Sequence, residues 1–499
     1  MHINIRSLAI VMAFAAAQPS VHARAPSAKA NEVVTARHYA SLIAGETPKT
    51  SELTLFFTRM PKGADLHHHY SGAIYAEQYL DWIDKQGWCV DMNTYRIESD
   101  PAKVAAARAT PIPPKTISCL TGGEFLANDT AYRELLQRWS TKDFGNHGAV
   151  QPPPDQRFFE TFIYFYAVSN TNFNEGLLTL KKRAVEENVS YIETMFKSAP
   201  SSDSPDFDAK VRAAGASDAA LDEAMGAWLA ALDTDAKFNQ SLSDYTSRIS
   251  ESHAGVDDAN FTMRYQSYVF RLQSPSRVFS SMAGGFKAAA QGGLVVGLNI
   301  VGQESSHISM RDYSLHMKMF RFLKTRYPGV KLALHAGELA LGDVPPEGLK
   351  FHIDEALNVA GADRIGHGID LAHEANAIAI MKTMREKDIP VEINLTSNAF
   401  ISGIKGDNHP LTLYRKYGVP YVISTDDAGV TRHTLSNEYV LFASRYKPDY
   451  SEVKKASYNS LRYAFLPAQE KKRLAAQLDA RYAKFEAEIA ALAGKAKKR

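Results

Sequence analysis

Apolar residues along this chain gather in short runs, and several of those runs end on a histidine or run directly into an acid. Runs at residues 64–69, 189–196, 262–270, 294–300, 330–335, 364–368, 391–394 and 421–424 are short, apolar or alternating, and of strand length. The intervening residues 174–188, 312–327, 353–360 and 376–387 repeat apolar positions at helical spacing. Eight strands alternating with helices predict a parallel sheet built from βα units, and eight units in one domain predict an α/β, (β/α)8 TIM-type barrel over residues 61–465.

Two stretches break the alternation. Residues ~84–150, after the first strand, are rich in proline, and residues ~200–258, after the second, join Ser/Asp-rich pieces to an Ala-rich helix over 218–232. As insertions after barrel strands, both are expected over the catalytic face as lids or specificity elements, or as a solubilising or homodimer surface. Residues 24–60 read as a pre-barrel arm whose apolar cluster, Leu53 to Phe57, packs on the barrel. Residues 466–499 read as a C-terminal helix, opened by Pro467, and a short basic tail.

Composition narrows the setting. With 499 residues, 45% of them hydrophobic, the chain can bury a large core, and a net charge of +2 gives no electrostatic case for nucleic acid or anionic membrane as partner. His2 and Arg6, a short apolar stretch from Leu8 to Ala17, and Val21-His22-Ala23 read as a signal peptide over residues 1–23, which implies a bacterial periplasmic or extracellular protein. No run is long enough for a transmembrane helix. Cys89 and Cys119, the two cysteines, are expected to pair in that compartment, and neither belongs to a Cys-x-x-Cys zinc spacing.

The chemistry sits at the strand ends. His67 and His69 are two apart in a strand and project together, with His68 facing the other way. His335 adds a third neutral nitrogen and Asp426 an anionic oxygen; this set is expected to hold one Zn2+ and leave room for a water. Zinc brings the pKa of such a water near 7. Glu338, three residues past His335, is placed to give a proton to substrate, and His367 to orient or deprotonate the water. Asp427 offers a second carboxylate to substrate. Ligand type alone leaves Fe, Co or Mn open as the metal.

The segments MPKGADLHHHYSGA, GLNIVGQE, LHAGE, RIGHGID and STDD, in this order over residues ~55–445, resemble the adenosine deaminase family of the amidohydrolase superfamily. The MPKG opening, the long arm and the cysteine-bearing insertion resemble its secreted, growth-factor-type branch. The resemblance implies hydrolytic deamination of adenosine or 2′-deoxyadenosine, a small purine nucleoside, to the inosine counterpart and ammonia. It places His67, His69, His335 and Asp426 on zinc, Glu338 at purine N1, His367 beside the attacking oxygen and Asp427 near N7. It also lays the backbone of Gly302 along the N3 edge. Gly302, Asp427, Ser71 and His69 are the expected substrate contacts.

The chain departs from the family at three points. Tyr70-Ser71-Gly72 stands where many members have Leu-Asp-Gly with the aspartate on ribose, Gln303 replaces a commoner aspartate or histidine, and Asn398 replaces a frequent second serine. Ser71 motivates an alternative, an exported deaminase of another aminopurine such as adenine or a modified nucleoside. A non-catalytic nucleoside-binding protein is the remaining reading.

Overall fold

The computed structural model describes residues 27–109, 118–145 and 150–496; the expected signal peptide, residues 1–23, lies outside them. Eight strands pair in sequence order: β1 (Gly63–His69), β2 (Val189–Lys197), β3 (Thr262–Phe270), β4 (Val295–Val301), β5 (Lys331–Ala336), β6 (Arg364–His367), β7 (Val391–Ile393) and β8 (Tyr421–Ile423). Every neighbouring pair is parallel. The ring closes just past β8, where Asp426 donates its amide to the His67 carbonyl at 2.8 Å and bridges His68 in parallel. This is the expected (β/α)8 barrel. Its strands are buried on both faces, as β2 shows along almost its whole length, because helices cover the outside and side chains fill the inside.

The inside is not wholly apolar. Arg364 on β6 pairs with Glu193 of β2 and Glu392 of β7, each at 2.5 Å, and stacks on Phe465 with 3.7 Å to the ring centroid. Breaking such a buried network by removing one member costs about 3–5 kcal/mol. The network also reaches the upper part of the barrel through Glu392, as described below.

The arm folds as two helices, Ala28–Ile43 and Thr50–Arg59. The first packs on the C-terminal helix Ala468–Ala496, and the second lays Phe56 and Phe57 against Phe485 and Tyr439. The first insertion carries a three-stranded antiparallel sheet, Ile97–Glu98, Cys89–Asp91 and Cys119–Leu120, in which Cys89 and Cys119 form a disulfide. It then reaches over the C-terminal ends of the strands. The Thr141 amide donates to the Val430 carbonyl, Phe144 meets Phe400, and the following helix Pro154–Ser169 takes a hydrogen bond from Gln303 on Asp155 and packs on Leu395–Ile401.

The second insertion differs from expectation. Its helices Pro205–Ala214, Asp218–Thr234 and Ala236–Ser252 clad the outside of the barrel. Arg212 pairs with Asp312, Lys318 and Arg321 pair with Asp218, and Phe207 meets Phe279, all on helices that follow β3 and β4. An amphipathic helix goes where its apolar face finds a partner, and the exposed backs of Pro275–Ala290 and His307–Arg326 supply one.

Candidate active site

The C-terminal ends of β1, β5, β6 and β8 bring four donors together. His67 and His69 at the end of β1, His335 on β5 and Asp426 just past β8 offer ligand atoms that all lie within 4.8 Å of one another. The Nε2 atoms of His67 and His69 stand 3.1 and 3.2 Å from that of His335, and Asp426 Oδ1 stands 3.1 Å from His69 Nε2 and 3.6 Å from that of His67. A tetrahedral ion with ligands about 2.0–2.1 Å away separates its donors by about 3.3 Å. The donor set therefore fits a divalent metal ion.

The chain prepares two of these histidines for that role. His67 Nδ1 meets Glu392 Oε2 at 2.6 Å, and His335 Nδ1 meets Asn299 Oδ1 at 2.8 Å, an oxygen that already accepts from the Ile300 amide. Both partners accept, so each histidine carries its proton on Nδ1 and turns an Nε2 lone pair inward. Charge points the same way. Burial pulls the His67 pKa down, but hydrogen bonds to Asp426 and Glu392 outweigh it and raise it to about 10, so without a metal ion Nε2 takes up a proton, and a cation bound there would displace that proton and use the lone pair. His68 turns away as expected: it bonds Thr194 Oγ1 at 2.9 Å, and burial pushes its pKa to about 3, leaving it neutral.

Beside the donors lie the proton-transfer candidates. Glu338 Oε1 is 3.6 Å from His367 Nε2, which is 4.0 Å from Asp426 Oδ2. Burial first, then the carboxylates of Asp426 and Glu304, push the Glu338 carboxyl well above its ordinary range, which keeps a proton available for donation. Burial and His67 push His367 down to about 3, so its ring is neutral. His367 and Asp426 both sit at positive φ, 64° and 63°, a left-handed turn that ends the strand and swings the side chain over the barrel axis. Asp427, buried with no hydrogen-bond partner for its Oδ1 among the described residues, lies against Gly72. Burial and Asp426 push its carboxyl well up. Gly302, at φ 101°, follows β4 beside the Phe270 ring, and Ser71 stands half-buried in the turn Tyr70–Ala73 after β1.

Sequence reasoning passed over the residues that hold this set in place. Glu392 and Asn299 are single polar residues inside apolar strands, and that inward polarity was their signal. Glu304 of the VGQE segment accepts the amides of Gly337 and Glu338 at 2.9 and 3.0 Å and bonds His352 Nδ1, so it fixes the loop that presents Glu338. Asn394, Asn398 and His409 gather behind His367.

Comparison with known proteins agrees with this geometry. A family model described as adenosine deaminase matches residues 242–481, a stretch that holds His335, Glu338, His367, Asp426 and Asp427. An adenosine deaminase of Pectobacterium atrosepticum is 34% identical over 181 residues, 36% of this chain and 49% of that protein. The chain thus spans about half the length of the curated relatives it matches. Among solved structures, the N6-methyl-AMP deaminase of Arabidopsis thaliana aligns with a TM-score of 0.53 at 17% identity, covering 86% of this chain and 98% of that one. The adenine deaminase of Arthrobacter aurescens aligns with a TM-score of 0.52 at 15% identity, covering 84% and 98%. At such identities these two establish the shared barrel fold and nothing finer. The ordered motifs, the family model that matches residues 242–481 and the barrel agree in making this chain similar to the adenosine deaminase family.

Proposed function

We propose that this chain is a zinc-dependent aminohydrolase that converts adenosine or 2′-deoxyadenosine and water to the inosine counterpart and ammonia. The observation that carries the reading is the convergence of His67, His69, His335 and Asp426 on one point, with Glu338 and His367 at its edge. A zinc ion held there supplies a water acidified to near neutrality. The chain's residues do the rest. Glu338, protonated by its burial, gives its proton to the purine N1, which draws electron density away from C6 as the oxygen attacks. His367 faces the attacking oxygen, Asp427 hydrogen-bonds the N7 side, and the Gly302 backbone lies along the N3 edge. Loss of the amino group as ammonia completes the exchange of nitrogen for oxygen at C6.

The helix Pro154–Ser169 bonds the loop after β4 through Asp155 and packs on the helix Leu395–Ile401 after β7, so it joins elements at the C-terminal end of the barrel, where the site lies. The Cys89–Cys119 disulfide supports an exported protein of the growth-factor-type branch, since such bonds persist in oxidising compartments. A second reading, deamination of another aminopurine, is favoured by Ser71, which puts a neutral hydroxyl where ribose recognition by an aspartate is frequent. The test is formation of the 6-oxo product, separated by chromatography, by the zinc-loaded full chain from adenosine, 2′-deoxyadenosine, adenine and N6-methylated nucleosides, with ammonia leaving from the first three and methylamine from the methylated ones. The two unmodified nucleosides are expected to be hydrolysed fastest. A preference for adenine or a methylated base would favour the second reading, and failure with all of them would overturn both.

A further inference from the structure

Behind His367 runs a chain of hydrogen bonds whose direction is set by a backbone amide. The Leu411 N–H donates to His409 Nδ1 at 3.0 Å. An N–H can only donate, so His409 Nδ1 bears the lone pair. His409 is buried and neutral, its pKa pushed down to about 3 by burial, so its proton is on Nε2. That Nε2 meets Asn398 Oδ1 at 3.1 Å, which fixes the amide with its oxygen towards His409 and its NH2 towards His367. Asn398 Nδ2 then donates to His367 Nδ1 at 2.9 Å, and Asn394 Nδ2 stands 3.4 Å from the same nitrogen. The backbone of Asn398 is itself held, its amide by the Asn394 carbonyl and its carbonyl by the Ile404 amide. At the far end His367 Nε2 has no hydrogen-bond partner among the described residues and is turned into the site, 3.6 Å from Glu338 Oε1.

We propose that Asn398 and His409 are positioning residues that lock His367 in the tautomer with its proton on Nε2. His367 therefore meets the attacking oxygen as a hydrogen-bond donor that holds it over C6, not as the base that takes its proton. Reversing the tautomer would turn Asn398, put its NH2 against the Nε2 proton of His409, and drive the His409 proton onto the Leu411 N–H. The tautomer assignment stands on the structure alone; its catalytic consequence rests on the deaminase reading above.

The test is a two-bond 1H–15N spectrum of the metal-loaded full chain with 15N-labelled histidine, the His367 ring assigned by its loss in His367→Asn. The expected result is a proton on Nε2 and a bare Nδ1. A proton on Nδ1 overturns the inference even in an active enzyme, whereas the expected spectrum in a chain that deaminates nothing would sink the deaminase reading and leave the tautomer assignment standing. Asn398→Asp can only accept, so it should move the His367 proton to Nδ1 and lower kcat by at least ~10²-fold with KM within about two-fold. His409→Gln, which can accept from Leu411 and donate to Asn398, should keep the tautomer and most of kcat. An Asn398→Asp enzyme with the proton still on Nε2 or with wild-type kcat would refute the proposal.

Discussion

Gly72→Ala tests how the purine is gripped without touching any group that reacts. A methyl group built on Gly72 would lie 1.5 Å from Asp427 Oδ1, 2.4 Å from its Cγ and 2.8 Å from its Cβ. No atoms approach so closely, so the Asp427 side chain must leave its place or the turn Tyr70–Ala73 must shift. Overpacking of this kind costs about 1–3 kcal/mol of stability. If the Asp427 carboxyl moves away, the substrate loses a hydrogen bond to a charged or acidic partner worth about 1.5–3 kcal/mol. At about 1.4 kcal/mol per factor of ten, kcat/KM should fall by about 10- to 10²-fold. The assay pairs steady-state hydrolysis of adenosine with urea unfolding and metal analysis. Metal content should stay at the wild-type value, because the three atoms nearest the added methyl all belong to Asp427, which is not one of the four donors. A variant with kcat/KM within two-fold of wild type and unchanged stability would show that Asp427 is not held in place by Gly72, and the argument from close approach would fail.

Glu338→Gln keeps the size of the side chain and removes its acid; it should retain metal and lower kcat by at least ~10²-fold, measured by ammonia release. His335→Ala removes one of four donors and should abolish metal retention through dialysis; full occupancy would contradict the ligand assignment. Lys62 is buried, donates to the carbonyls of Met60 and Glu187, and is pushed by burial from 10.5 to about 7. Between those values the unfolded chain binds a proton that the native chain does not, so this lysine adds stability as pH rises from 7 towards 10.5. Relative to Lys62→Met, wild-type protein should therefore gain about 2 kcal/mol in urea unfolding between about pH 7.5 and 9.5, and parallel curves would sink the argument.

Every expected strand lies within about one residue of its observed place, because barrel strands buried on both faces read as apolar runs and the site residues themselves mark their ends. His67, His69, His335, Glu338, His367, Asp426 and Asp427 were legible for the same reason: a polar residue at the close of an apolar run has few structural excuses. The Glu392 carboxylate behind His67 and the Asn299 amide behind His335 were not, since nothing in one strand tells which other strand its inward side chain meets. The same limit hid the relay from Leu411 to His367, whose direction is fixed by a tertiary contact to a backbone amide. Placement of the second insertion failed differently. Its helices are plain in the sequence, but whether they cross the mouth or lie along Pro275–Ala290 depends on faces that only the assembled barrel presents.

The four donors are expected to hold a metal without which adenosine is not deaminated. The most direct measurement is the fall in ultraviolet absorbance of adenosine with purified protein, run as zinc-loaded enzyme, after chelation, and after zinc is restored. The expected result is a decay that yields inosine and ammonia, stops with chelator and returns with zinc. A decay that continues at full rate in protein shown to be free of metal would contradict it.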